Sequence, residues 1–87
     1  MNKMNEFSLQ VCTPEGVAFD GKIISVTARS TVGDICIMRG HANYMTTIEN
    51  GKIVIKTGND EISANCSGGF ISVNDNMVRI FVDLFEV

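Results

Sequence analysis

"NCSGGFISVND", residues 65–75, sets two adjacent glycines directly before an alternating Phe70-Ile71-Ser72-Val73 run. Glycine brings no side chain to a core and loses the most backbone freedom on folding, so strand interiors normally avoid it. A pair at this place marks a β-bulge or a close approach of two backbones where a strand bends between sheets. The rival reading is a phosphate-cradling loop, which must lead into a helix N-terminus. The run after Gly69 alternates with period two and has no lysine beside it. The pair is therefore read as architecture, and the segment as a strand.

The same alternation extends outward in both directions. Phe7, Leu9 and Val11 share one face, Ile24, Val26 and Ala28 another, and Val78, Ile80, Val82 and Leu84 a third, each with polar residues between. Successive Cβ atoms of a strand point to opposite faces, so this is the pattern of half-buried strands. Phe81 breaks the polar face of the last run and suggests a contact on that side as well. No apolar residues recur at helical spacing over a full helix length. Turn signals are dense: Thr13-Pro14-Glu15-Gly16, Asp20-Gly21, Gly33-Asp34, Asn50-Gly51, Gly58-Asn59-Asp60 and Asn74-Asp75-Asn76. Asn50-Gly51 between two apolar runs predicts a two-residue hairpin. Strands are expected over 6–12, 17–19, 22–29, 34–38, 43–48, 52–57, 60–66, 69–73 and 77–84. Short strands at this spacing predict one all-β domain over 1–87, a flattened β-sandwich of about ten mostly antiparallel strands.

Composition narrows the function. The chain has 87 residues and a formal net charge of −3, with seven basic and ten acidic residues dispersed along it. Nucleic-acid binding calls for clustered Lys and Arg, so nucleic acid is not expected as a partner. The longest apolar run, Ile35-Cys36-Ile37-Met38, is far below the roughly 20 residues of a spanning helix, so any membrane attachment is expected to be indirect. The amino end, Met1 to Glu6, lacks the apolar core of a signal peptide. Cys12, Cys36 and Cys66 are far apart and odd in number, no Cys-x-x-Cys occurs, and His41 is the sole histidine. These features predict small hydrophobes in a reducing compartment, and neither a metal site nor a cofactor. Asn65-Cys66-Ser67 matches a glycosylation sequon of the kind that chance supplies.

The residues that could carry function cluster in "VGDICIMRGHANYMTTI", 32–48. His41 could serve as a general base, but no nucleophile stands beside it in sequence, and a loop histidine is more often a hydrogen-bonding tie. Asp34 alone reads as a turn-former. No catalytic residue is expected.

Taken in order, "FSLQVCTPEGVAFDGKIISVTA", "GDICIMRGHANYMTTI", "NGKIVI" and "CSGGFISVNDNMVRIFVD" resemble the amino-terminal β-sandwich of the epsilon subunit of F-type ATP synthases, called delta in mitochondria. The combination of Gly-His-Ala with Ser-Gly-Gly and an alternating strand about 27 residues later carries the resemblance, which spans nearly all of 6–84. It implies a non-catalytic central-stalk subunit. One side of such a domain binds the gamma subunit, and its lower end rests on the polar loops of the c-ring. The domain thereby couples ion-driven rotation to ATP synthesis. By position, Asp34 matches an acidic residue facing the ring loops and Gly33 its turn glycine. Gly40, His41 and Ala42 match the Gly-His-Ala loop near ring and gamma, Thr46 a threonine adjoining gamma, and Gly68 and Gly69 the paired structural glycines.

The resemblance also implies a peripheral place on the cytoplasmic face of a bacterial plasma membrane. Three departures stand out: Cys36 replaces a glycine, and Arg39 and Asn43 replace the prolines that flank Gly-His-Ala. A less rigid loop with an added positive charge from Arg39 near the contact surface is expected. The family commonly continues into two helices that inhibit ATP hydrolysis; with the sequence ending at Val87, neither that role nor nucleotide binding is carried over. A stand-alone β-sandwich binding module is the alternative. If the leading reading holds, one apolar sheet face remains exposed in the isolated chain.

Overall fold

The computed structural model describes residues 5–87, so residues 1–4 of the expected domain lie outside the described part. Ten strands run in chain order: β1 (Phe7–Thr13), β2 (Gly16–Ile23), β3 (Ser25–Ser30), β4 (Gly33–Met38), β5 (Tyr44–Ile48), β6 (Gly51–Lys56), β7 (Glu61–Cys66), β8 (Gly69–Asn74), β9 (Met77–Val82) and β10 (Phe85–Glu86). Hydrogen bonding orders them β10-β7-β6-β3-β5-β8-β9-β1-β2, with β4 on β3. Two five-stranded layers result, β4-β3-β6-β7-β10 and β5-β8-β9-β1-β2. Strand β3 serves both: Ser25, Val26 and Thr27 pair with β6, while Ser30 alone pairs with Ile48 of β5. That single bridge turns the sandwich into one nearly closed, barrel-like sheet. Every ladder is antiparallel except β1 with β9.

The alternation predicted for the core is observed. Phe7, Leu9 and Val11 of β1, Ile53 and Ile55 of β6, Ile71 and Val73 of β8, and Val78, Ile80 and Val82 of β9 are buried between the layers. At about 25 cal/mol per Å² of apolar surface removed from water, these side chains supply the main stabilising term.

Three hairpin turns share one device, a hydroxyl at the first position. Thr13 Oγ1 donates to the Gly16 carbonyl at 3.1 Å and accepts the Glu15 N–H at 3.3 Å. Ser30 Oγ donates to the Gly33 carbonyl at 2.7 Å and accepts the Val32 N–H at 3.2 Å. Thr57 Oγ1 donates to the Asp60 carbonyl at 3.2 Å and accepts its N–H at 2.9 Å. Such local bonds give the turn backbone partners it cannot find in a ladder.

The glycine pair resolves as a close approach rather than a bulge. The β8–β9 register runs unbroken from Gly69↔Val82 to Asn74↔Met77. A Cβ on Gly69 would lie 1.8 Å from the Phe81 carbonyl oxygen, a distance no side chain could occupy. Gly68 is less confined: its nearest neighbour would be the Ile48 oxygen at 3.1 Å, and its N–H donates to Asn50 Oδ1. The bulge lies elsewhere, between Val11 and Cys12 against β2.

Three local expectations are overturned. Asp20-Gly21 is not a turn: β2 runs straight through it, with Gln10↔Asp20 and Leu9↔Gly21 in register, because the long partner β1 outweighs the turn propensity of two residues. Asn50-Gly51 closes no hairpin. β5 pairs with β3 and β8 and β6 with β3 and β7, so the chain crosses there from one layer to the other. Finally, the strand expected over 77–84 ends at Val82. Leu84 is turned outward, 47% exposed, and its N–H donates to Ser67 Oγ at 2.9 Å. The chain then re-enters the sheet as β10, placing Phe85 opposite Cys66 and against the core.

Candidate interaction surfaces

Apart from Thr46 and the Gly68-Gly69 pair, the residues singled out by sequence fall into two groups at opposite ends of β4. Gly33 and Asp34 form the tip of the β3–β4 hairpin. Gly33 has φ +121°, a conformation that side chains rarely adopt, so glycine is required by the turn. Asp34 stands opposite Arg29 in the ladder, and its Oδ1 lies 3.4 Å from Arg29 Nε; both side chains are largely exposed. Arg39, Gly40, His41 and Ala42 come after the other end of β4, roughly 17 Å away at 3.3 Å per strand residue. The structure therefore does not bring Asp34 and His41 together.

The loop at the second end is tied in several places. The His41 N–H donates to the Met38 carbonyl at 3.1 Å, and its ring packs on Tyr44 with centroids 5.7 Å apart. His41 Nδ1 lies 2.7 Å from the Ala42 carbonyl. A carbonyl can only accept, so the ring proton sits on Nδ1. Asn43, which stands out in sequence only as a departure from a proline, accepts the Asp75 N–H on Oδ1 at 2.7 Å. Asp75 is in the left-handed region at φ 57°, and this bond holds the β8–β9 turn against the loop. Thr46 sits in β5 opposite the buried Ile71, on the inward face with Ile48, whereas Met45 and Thr47 point outward.

The outer side of the β5-β8-β9-β1-β2 layer is mixed rather than the apolar face expected: Met45, Ser72, Arg79, Gln10 and Asp20 form one row across it. Ladder registers align Thr47, Phe70, Phe81, Cys12 and Val17 in one row across five strands. Phe70 is 41% exposed and stacks on Phe81, with ring centroids 4.8 Å apart and planes 24° from parallel. Phe81 signals this contact in the sequence by breaking a polar face; Phe70 does not. Beside the aromatic pair lies an open cleft of about 430 Å³, floored by the close approach at Gly68 and Gly69.

Among the described residues, no group of three His, Cys, Asp or Glu is placed to hold a metal, and no helix is long and apolar enough to cross a membrane. Burial pushes the Cys66 thiol up from its ordinary range, which keeps it protonated and unreactive. The geometry offers surface: an apolar row on one layer and a polar hairpin tip on the other.

The ten strands and their surfaces define a small all-β sandwich domain. Residues 6–87 match the family described as "ATP synthase, Delta/Epsilon chain, beta-sandwich domain", and the chain belongs to that family. The ATP synthase epsilon chain of Caldicellulosiruptor saccharolyticus is 40% identical over 83 residues, covering 95% of this chain and 61% of that protein. That of Endomicrobium trichonymphae is 34% identical over 80 residues, covering 92% and 58%. The chain thus spans about three-fifths of the length of these relatives. Among solved structures, a chain of the Euglena gracilis mitochondrial ATP synthase (OSCP/F1/c-ring) superposes with a TM-score of 0.87 at 20% identity, over 92% of this chain and 52% of that one. A chain of the Tetrahymena thermophila mitochondrial ATP synthase central stalk and c-ring superposes with a TM-score of 0.76 at 17% identity, over 90% and 63%. These two establish the fold. Family membership across the whole sandwich sets aside the stand-alone module of unrelated ancestry.

Proposed function

We propose that the chain is a non-catalytic central-stalk subunit of an F-type ATP synthase, linking the gamma subunit to the c-ring and coupling ion-driven rotation to ATP synthesis. The observation that carries this reading is the family match over residues 6–87, which embraces every strand of the sheet. In this reading Gly33 and Asp34 present the hairpin tip to the ring loops. Arg39, Gly40, His41 and Ala42 contact ring and gamma from the far end of β4, and the segment around Thr46 adjoins gamma. The rigidity that such a coupling element needs comes from the nearly closed sheet and the ties at Asn43 and Asn50. The complex would hold the subunit at the cytoplasmic face of a bacterial plasma membrane without a lipid contact of its own. Gel filtration with the purified cognate gamma subunit tests the reading. Co-elution at micromolar concentration is expected; separate elution of the two chains contradicts it.

A further inference from the structure

We infer that the outer edge of β4 is a self-association site at which a second copy of this chain adds its own β4, antiparallel about a two-fold axis through Cys36. Ser30↔Gly33 closes the two-residue turn of the β3–β4 hairpin and is therefore a hydrogen-bonded pair. The register runs unbroken from there, so Ala28↔Ile35 and Val26↔Ile37 are the next bonded pairs. The backbone groups of Asp34, Cys36 and Met38 consequently point away from β3, along an edge that no other strand of the described residues pairs with. All three residues are exposed. The two ends of the strand order are blunted in ways that deter an added strand. β2 carries charged Asp20 and Lys22 and a bulge in its ladder with β1, and β10 is only two residues long. β4, Gly33-Asp34-Ile35-Cys36-Ile37-Met38, has no Lys, no Pro and no bulge.

A second β4 fits this edge residue by residue. Pairing Cys36 with its own copy uses all three outward residues, because the same register sets Asp34 against Met38 of the second copy. It keeps the two Asp34 carboxylates apart, each beside its own Arg29. Between these pairs Ile35 meets Ile37 of the second copy on the inner face, where Ile35 is half-buried and packed on the core. The Met38 carbonyl accepts the His41 N–H and has a second lone pair for the added strand. One strand pair buries little area, so the dimer is weak and concentration-dependent. On the stalk reading, on which only this consequence rests, the dimer covers the strand between Asp34 and Arg39 and must part before assembly.

Sedimentation velocity of the intact, reduced chain from about 10 µM to about 1 mM tests the inference, and a shift from monomer to dimer is expected across that range. Cys36→Lys sets two ammonium groups across the axis, and Cys36→Pro deletes an outward N–H that no strand of its own chain uses. Each is expected to raise the dissociation constant about tenfold or more, with thermal unfolding near that of the parent. Cys36→Ser keeps the edge and should dimerise like the parent. In a bonded pair the Cα atoms lie about 5.5 Å apart, within disulfide reach. Oxidised glutathione should therefore join Cys36 to Cys36, the two thiols giving up two protons and two electrons to form two molecules of reduced glutathione. A chain that stays monomeric at the highest concentration, a dimer unaffected by Cys36→Lys, or cross-links mainly through Cys12 overturns the inference. No other subunit enters these measurements, so their failure leaves the stalk reading standing.

Discussion

The outer face of β8 and β9 and the tip of the β3–β4 hairpin are both exposed, but they are built on different physics. The first is fixed by steric necessity. Gly69 lies so close to the Phe81 carbonyl that the β8–β9 register has no freedom, and the next residue, Phe70, is set directly on Phe81 as a result. The second is fixed by turn chemistry: a Ser30 hydroxyl, a left-handed Gly33 and an exposed Arg29–Asp34 pair. A sheet face held by backbone contact fixes an aromatic pair in place; a hairpin tip held by local bonds presents an exposed charge pair. The Gly68-Gly69 pair thus serves folding first and the aromatic row through it.

The sharpest way to break this contrast is Gly69→Ala. Its Cβ would meet the Phe81 carbonyl and the Val82 Cα, all backbone atoms, so neither strand can yield cheaply, and a loss of about 3 kcal/mol or more is expected in urea unfolding. Gly68→Ala, with only a 3.1 Å contact to relieve, should cost less than about 1 kcal/mol. Equal midpoints for the two variants would refute the close approach. Asn43→Ala comes next: removing the acceptor for the Asp75 N–H should cost about 1 kcal/mol and raise amide exchange at Asp75. An unchanged exchange rate would mean that the loop and the β8–β9 turn are independent. The smallest effect belongs to Arg29→Ala. Its partner Asp34 is about two-thirds exposed, so the pair should contribute under about 0.5 kcal/mol and still less at high salt. A larger loss would show that the hairpin tip depends on charge for its fold.

The alternating runs made most of the strands legible, because period two reports directly which face is buried. Legibility failed where a local signal competed with a distant partner. Asp20-Gly21 and Asn50-Gly51 are both strong turn dipeptides, yet one lies inside a ladder with β1 and the other at a crossing between layers. No short-range rule contains the strand that decides either case. Leu84 failed for a related reason: it continues the alternation of β9, but bonds to Ser67 draw the chain away after Val82. For the surfaces, Phe81 was visible because it interrupted a polar face. The cleft beside it was not, since Cys12, Thr13 and Gly68 come from segments that only the folded sheet brings together. The role of Asn43 was hidden in the same way, its partner lying 32 residues ahead.

In the proposed function the chain works as a rigid bridge whose surfaces engage two neighbours at once. The direct test mixes purified gamma subunit, detergent-solubilised c-ring and the intact chain, and asks by pull-down on the ring whether gamma is retained. The account predicts that gamma stays with the ring when the chain is present, at a level well above that seen without it. Gamma retention that is unchanged by the chain, or a chain that binds one neighbour only by excluding the other, would contradict it.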